Sequence, residues 1–203
     1  MFNNLVWASV SGSLHFIGMD GRHIKELLRA SESSYSELKD ICVWVKDKGG
    51  KASLYRCQHE LVFVFKNGTD QPRNNILTGQ SARNRTNVWQ YPCVSSKLGK
   101  ERKEQRSSLT RRHRAVKPVA MVADAIKDCT VHGDIILDAF AGTGTTLLAA
   151  ERVGRIAHAI DRNPFYVDLA IRRWEEHTGK VAIHERSMCS FTQVQERKYE
   201  PKR

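Results

Sequence analysis

The chain has 203 residues, with 33 Lys and Arg against 22 Asp and Glu and a formal charge of +11. This length allows one sizeable α/β domain, and the excess of positive charge favours a polyanionic partner such as nucleic acid. No run approaches the roughly 20 apolar residues of a membrane span, and five scattered cysteines without a CxxC pair argue against a zinc site, so we expect a cytoplasmic protein with reduced thiols and no bound metal.

Residues 1–66 contain short apolar runs that predict a strand, a helix and a hairpin. LHFIG predicts the first strand, and HIKELLRA has the spacing of an amphipathic helix. ICVWV and ELVFVF are rich in β-branched and aromatic residues, and KDKGGKAS lies between them. They predict two further strands, joined as an antiparallel hairpin.

Residues 67–114 are polar and irregular, and we expect no packed core from them. Residues 97–117 hold nine Lys or Arg, which favours contact with nucleic-acid phosphates, although a solvated charged loop would have the same composition. Trp89 and Tyr91 suit either base stacking or a core. The predicted nucleic-acid contacts are Arg83, Arg85, Lys100, Arg102, Lys103, Arg111 and Arg112.

Residues 115–184 alternate between helix and strand patterns. Val119, Val122, Ile126 and Cys129 share one helix face, DIILDAF predicts a strand, and TTLLAAERV predicts a helix that ends at Gly154. IAHAI predicts a second strand, followed by a helix with Asn163 and Pro164 at its start and Gly179 at its end. This order implies two parallel strands with a right-handed crossover. Residues 185–203 predict a polar, loose tail.

The turn DAFAGTGTT, directly after a predicted strand, is the place where open parallel sheets bind ligands. Gly142 and Gly144 allow a close approach of the backbone, and Asp161, at the end of the next strand, can accept hydrogen bonds from a ribose. Both features fit a site for a dinucleotide or for S-adenosylmethionine. Two glycines also occur in simple tight turns that bind no ligand. Thr146 and Leu147 stand where a pyrophosphate site favours a third glycine.

The glycine turn is one of several motifs that follow one another along the chain between residue 12 and residue 184. DIILDAFAGTGTTLLAAERVGRIAHAIDRNPFYVDLAIRRWEEHTGK, the preceding HRAVKPVAMVADAIKDC, and the earlier LYRCQHELVFVFKNG and RNRTNVWQYP resemble bacterial and phage DNA amino-methyltransferases of the β arrangement. The resemblance implies a Rossmann-like α/β fold with a mostly parallel sheet, an antiparallel hairpin at one edge and a basic irregular insertion. It also implies a methyltransferase domain over 1–184, with 1–66 as the catalytic half, 67–114 as the DNA-facing insertion and 115–184 as the cofactor half.

The resemblance also assigns the cofactor and its contacts. The cofactor is S-adenosylmethionine, the partner is double-stranded DNA, and the reaction is methyl transfer to adenine N6 or cytosine N4, as in restriction-modification. Asp138, Phe140, Gly142, Gly144 and Thr145 would line the methionine part of the cofactor, and Asp161 would hold the ribose. His113, Lys117 and Pro118 would close the pocket.

The family's catalytic tetrapeptide has Asp, Asn or Ser, then two prolines and an aromatic residue, and this sequence has no Pro-Pro pair. NPFY at 163–166 fits a helix cap better, and Pro92–Cys93 precedes the glycine turn instead of following it. No catalytic residue is therefore assigned. We expect a chain that begins downstream of the catalytic strand. A non-catalytic DNA-binding remnant and a nicotinamide-dependent oxidoreductase are the alternatives.

Overall fold

A computed structural model describes residues 1–50, 54–76, 84–93 and 116–199. The part before residue 94 forms two helices, a 3-10 turn at Gly21–His23 and four strands: α1 (Phe2–Trp7), β1 (Leu14–Met19), α2 (Ile24–Ser31), β2 (Glu37–Val45), β3 (His59–Lys66) and β4 (Val88–Gln90). Residues 116–199 form four helices and four strands: α3 (Val119–Cys129), β5 (Ile135–Asp138), α4 (Thr145–Arg152), β6 (Ile156–Ala159), α5 (Pro164–Thr178), β7 (Ile183–His184), β8 (Cys189–Ser190) and α6 (Phe191–Tyr199).

The larger sheet has the strand order β1-β3-β2-β4, so the predicted antiparallel β2–β3 hairpin is confirmed, but it lies in the middle of this sheet and not at its edge. β3 pairs antiparallel with both of its neighbours, whereas β4 runs parallel to β2. Side chains alternate across β3: Val62 and Val64 pack on one face with Trp44 and Met121, and Phe63 and Phe65 pack on the other. β3 is therefore the buried centre of this sheet.

β5 and β6 form a second sheet, and they run parallel, as the sequence predicts. Ile136 and Ala157 face α3 and α4, where Ala149 and Ala150 are fully buried. α3 packs on both sheets, because Met121 and Ala125 belong to the larger sheet's core while Ala123 and Ile126 belong to the second. One helix thus joins the two sheets. None of the described helices has the length and apolarity needed to cross a membrane.

Two sequence expectations differ from the structure. The polar stretch 67–114 does contribute to the core, since Trp89 is only 6% exposed and packs in the cluster around Trp44. The indole of Trp44 also donates to the Tyr91 carbonyl at 2.8 Å. The tail is not loose as far as residue 199, because β7 pairs with β8 and α6 follows. The division of the chain into a catalytic half, an insertion and a cofactor half stays a prediction.

Candidate cofactor-binding site

The turn between β5 and α4 needs glycine at two positions for different reasons. Gly142 has φ +49° with no close contact at the position of a Cβ, so its conformation alone favours glycine. Gly144 has φ +76°, and a Cβ there would lie 2.6 Å from the Cβ of Ala170 on α5. The close approach of α5 therefore excludes any side chain at residue 144.

Asp138, the last residue of β5, fixes the shape of the turn. Its carboxylate accepts the Phe140 backbone N–H at 2.9 Å and the Thr146 hydroxyl at 2.6 Å. The same side chain thus connects the end of the strand to the first turn of α4. It also places a negative charge at the start of that helix, where the backbone N–H groups would otherwise attract an anion.

Asp161 lies beside the turn, although 19 residues separate it from Gly142. One carboxylate oxygen accepts the Gly142 N–H at 2.8 Å, and the other accepts the Asn163 N–H at 2.8 Å. Each oxygen keeps a lone pair for a further hydrogen bond. The predicted proximity of this carboxylate to the glycine turn is present, and its contact with a ribose stays a prediction.

The start of α3 forms another side of the site. Thr145 donates its hydroxyl to the Lys117 carbonyl at 3.4 Å, and Pro118 is the residue at the amino-terminal cap of α3. The Lys117 side chain reaches β1, because a Cβ at Gly18 would lie 3.2 Å from Lys117 Cε. Lys117 therefore lies next to Thr145, and the closing of a cofactor pocket by Lys117 and Pro118 stays a prediction. His113 falls outside the described residues.

Large apolar side chains are exposed where the two strands end. Phe140 is 65% exposed and Ile160 is 64% exposed. The segments that carry them are hydrogen-bonded, since Ala141 N–H donates to the Ile160 carbonyl at 3.0 Å and Ile160 N–H donates to the Asp138 carbonyl at 2.8 Å. Exposed apolar groups beside convergent polar groups are typical of a ligand site.

Sequence reasoning missed three residues of this site. Ile160 is one of them, and its place directly before Asp161 is the signal that could have found it. Thr146 was considered only as a substitute for glycine, yet its hydroxyl binds Asp138. Arg173 of α5 donates to the Thr143 carbonyl in the turn. Its spacing of three residues from Ala170 places both on one helix face.

Arg85 has a structural environment in the described part of the chain. Its side chain is 15% exposed, forms an ion pair with Asp128 at 2.5 Å and lies over the Trp89 ring at 5.2 Å. It also donates to the Tyr91 hydroxyl, which in turn donates to Asp124 at 2.6 Å. Burial, together with that hydrogen bond, raises the pKa of Tyr91 to about 12.

These contacts favour a packing role for Arg85, and they support the core alternative for Trp89 and Tyr91. The other predicted DNA contacts lie outside the described residues: Arg83, Lys100, Arg102, Lys103, Arg111 and Arg112. Across the described ranges, no three His, Cys, Asp or Glu side chains are grouped so that they could hold a metal ion.

Neither NPFY nor Pro92–Cys93 has the environment of a catalytic motif. Asn163 accepts the Phe165 N–H at 3.0 Å and Pro164 begins α5, so NPFY is the helix cap that the sequence predicts. The Cys93 N–H donates to Asp47 at 2.7 Å, and burial raises the pKa of the Cys93 thiol. A raised pKa lowers the thiolate fraction that a nucleophile needs.

Comparison with known proteins places these features in one family. A DNA methylase family model matches residues 4–172. The chain is 33% identical over 157 residues to the type II methyltransferase M.HpaI of Haemophilus parainfluenzae, which covers 70% of this chain and 47% of that protein. It is 39% identical over 94 residues to the type II methyltransferase M.ScaI of Streptomyces caespitosus, covering 46% of this chain and 29% of that protein. The chain thus spans less than half of each relative.

Solved structures share the fold. The complex of M1.HpyAVI with SAM superposes with a TM-score of 0.65 at 19% identity, covering 85% of this chain and 80% of that chain. The cytosine-N4-specific PvuII DNA methyltransferase gives 0.65 at 20% identity, covering 92% and 70%. These matches confirm the predicted methyltransferase fold. With the family model matched over most of its length, the chain belongs to the DNA methylase family.

Proposed function

We propose that this chain binds S-adenosylmethionine at the turn between β5 and α4 and acts as a DNA methyltransferase on an exocyclic amino nitrogen of adenine or cytosine. The observation that carries the proposal is the contact of Asp161 with the Gly142 N–H at 2.8 Å. It brings the carboxylate that follows β6 to the glycine turn that follows the neighbouring strand β5. Membership in the DNA methylase family supports the same reaction.

The residues present fit this cofactor. Asp138, Phe140, Gly142, Gly144 and Thr145 would hold the methionine part, and Asp161 would bind the ribose hydroxyls with its remaining lone pairs. Lys117 and Pro118, together with His113, would close the pocket. Phe140 and Ile160 offer exposed apolar surface that suits an adenine ring.

Charge favours S-adenosylmethionine over a dinucleotide. A pyrophosphate needs the free N–H groups at the start of a helix, and here the Asp138 carboxylate is hydrogen-bonded to Thr146 in the first turn of α4. A phosphate beside that carboxylate would meet a like charge in a partly buried site. The ammonium and sulfonium groups of S-adenosylmethionine are attracted to the same carboxylate instead.

The cofactor supplies a methyl group on a positively charged sulfur, and the chain's own residues would bind and orient it. The acceptor nitrogen is a weak nucleophile, because its lone pair is delocalised into the base, so a hydrogen-bond acceptor for its protons is needed. The base must also leave the duplex to reach such a site. The 203 residues contain no Pro-Pro pair of the family's catalytic tetrapeptide, so we assign no residue to this step.

The DNA partner is supported by charge. The chain carries a formal charge of +11, and clustered Lys and Arg gain affinity for DNA by releasing counterions from phosphates. Arg83, Lys100, Arg102, Lys103, Arg111 and Arg112 are the proposed phosphate contacts. Binding to DNA should therefore weaken steeply as the salt concentration rises.

Titration calorimetry with S-adenosylmethionine and, separately, with NAD tests the cofactor. We expect micromolar binding of S-adenosylmethionine and none of NAD, and tighter binding of NAD would contradict the proposal. Transfer of a tritiated methyl group to unmethylated DNA tests the reaction. Hydrolysis of the labelled DNA then identifies the methylated base, which separates adenine N6 from cytosine N4.

A further inference from the structure

Arg173 contacts the glycine turn from the side of α5. Its guanidinium donates to the Thr143 carbonyl, which lies between the two glycines. Ala170, one helical turn earlier, is the residue whose Cβ excludes a side chain at Gly144. α5 therefore holds two consecutive residues of the turn, one by close packing and the other by a charge-assisted hydrogen bond.

The charge of Arg173 is weakly neutralised. The side chain is half-buried; burial lowers its pKa, and the charge of Glu176 raises it by a smaller amount. No ion pair within the described residues includes Arg173. A guanidinium stays protonated at neutral pH in any protein environment. The turn is thus backed by a positive charge, while Asp138 places a negative charge at its start.

We propose that Arg173 is a positioning residue for the turn, and that its charge makes the turn select ligands with a carboxylate at their amino-acid end. This proposal rests on the proposed function, because the methionine part of S-adenosylmethionine carries an ammonium and a carboxylate on one carbon. Opposite charges on either side of the turn complement that zwitterion. The negative charge of Asp138 attracts the ammonium. The positive charge of Arg173, behind the backbone N–H groups of the turn, adds an electric field that attracts the carboxylate.

A purely structural role for Arg173 and a role of its charge predict different effects on ligand binding. If the side chain only anchors the turn to α5, its loss should weaken every ligand that uses the turn by the same factor. If its charge acts on the ligand's carboxylate, its loss should weaken only the ligand that has this group. Decarboxylated S-adenosylmethionine keeps the sulfonium, the ammonium and the nucleoside, so it separates the two roles.

The experiment measures the dissociation constants of S-adenosylmethionine and its decarboxylated form by calorimetry on the full chain, for wild type, R173M and R173K. R172M is the matched control, because Arg172 is exposed on the same helix and donates to Gln195. Thermal unfolding of each variant verifies that it is folded. We expect wild type to prefer S-adenosylmethionine about tenfold or more, R173M to lose most of that preference, and R173K and R172M to keep it.

An unchanged ratio of the two dissociation constants in R173M would overturn the role of Arg173 while leaving the proposed function intact. Loss of the preference in R172M as well would also overturn it, since the effect would then not depend on contact with the turn. If the wild-type chain binds neither ligand, the proposed function itself fails. If R173M does not fold, the ratio in R173Q decides, because the Gln amide can still donate to the carbonyl but carries no charge.

Discussion

The larger sheet and the glycine turn use partly buried polar side chains in opposite ways. Around β4 and α3, the side chains of Arg85, Asp128, Tyr91 and Asp124 are joined to one another, and Lys127 also pairs with Asp124. At the turn, Asp138 and Asp161 bind mainly backbone N–H groups and lie beside exposed apolar residues. Polar side chains that bind one another contribute to the stability of the fold, whereas the turn keeps hydrogen-bonding capacity for a ligand.

The largest expected effect is on stability. Asp128→Ala leaves the Arg85 guanidinium without its partner in a site where the two side chains are 15% and 6% exposed. We expect the free energy of unfolding in urea to fall by about 3–5 kcal/mol. The affinity of the folded fraction for S-adenosylmethionine should not change.

Two variants sharpen this prediction. The double variant R85M/D128L removes both charges together, and we expect it to regain most of the lost stability. Glu37→Ala is the surface control, because it breaks an exposed pair with Lys39 and should cost less than about 1 kcal/mol. A cost for Asp128→Ala as small as this control would contradict the idea that the buried Arg85–Asp128 pair stabilises the fold.

Gly144→Ala is expected to affect both stability and binding. The left-handed conformation and the collision with Ala170 together should cost about 2–5 kcal/mol. Gly133→Ala is the matched control, because Gly133 has φ +84° but nothing within 4 Å of a Cβ, so only the conformational cost of about 1–2 kcal/mol applies. Urea unfolding of both variants measures the difference, and equal costs would mean that α5 does not press on the turn.

Asp161→Asn should chiefly change binding. An amide has one acceptor oxygen, so the side chain can no longer accept both N–H groups and a ribose hydroxyl. We expect the affinity for S-adenosylmethionine to fall about 10–100-fold, a change of about 1.5–3 kcal/mol. Calorimetry measures it, with the exposed Glu185→Gln as control. If Asp161→Asn bound S-adenosylmethionine with wild-type affinity, the glycine turn would not differ from the larger sheet in keeping hydrogen-bonding capacity for a ligand.

The smallest expected effect is a pH dependence in the larger sheet. Burial lowers the pKa of His15, whose ring contacts the Tyr35 hydroxyl at 2.9 Å. In the unfolded chain His15 has a pKa of about 6.5, so below this pH the unfolded chain binds a proton that the folded chain does not. The free energy of unfolding therefore falls as the pH falls, by at most about 1.4 kcal/mol per pH unit. Urea midpoints at pH 7.0 and 5.5 measure it. His15→Gln should flatten this dependence.

Local patterns were enough to predict the helices and strands between residues 116 and 179. The cap at Asn163 and Pro164, the ends of helices at Gly154 and Gly179, and the parallel β5–β6 pair each depend on residues close in sequence. Asp161 could be placed near the turn because the carboxyl ends of parallel strands meet at one edge of a sheet.

Contacts over long sequence distances could not be predicted in this way. Arg85 and Asp128 are 43 residues apart, and nothing local marks them as partners. The pairing of β4 with β2 also joins residues that are far apart in sequence. Composition alone therefore could not assign Trp89 to the core. Arg173 was missed because its role depends on how α5 packs against the turn, which its amphipathic pattern does not specify.

The membership of α3 in two cores has a consequence for dissecting the molecule. A fragment that starts at residue 116 would expose Met121 and Ala125 to water, and a fragment that ends before α3 would uncover Trp44 and Trp89. Neither fragment should persist alone in a folded form. Calorimetric melting of the intact chain should accordingly give one transition whose van't Hoff and calorimetric enthalpies agree.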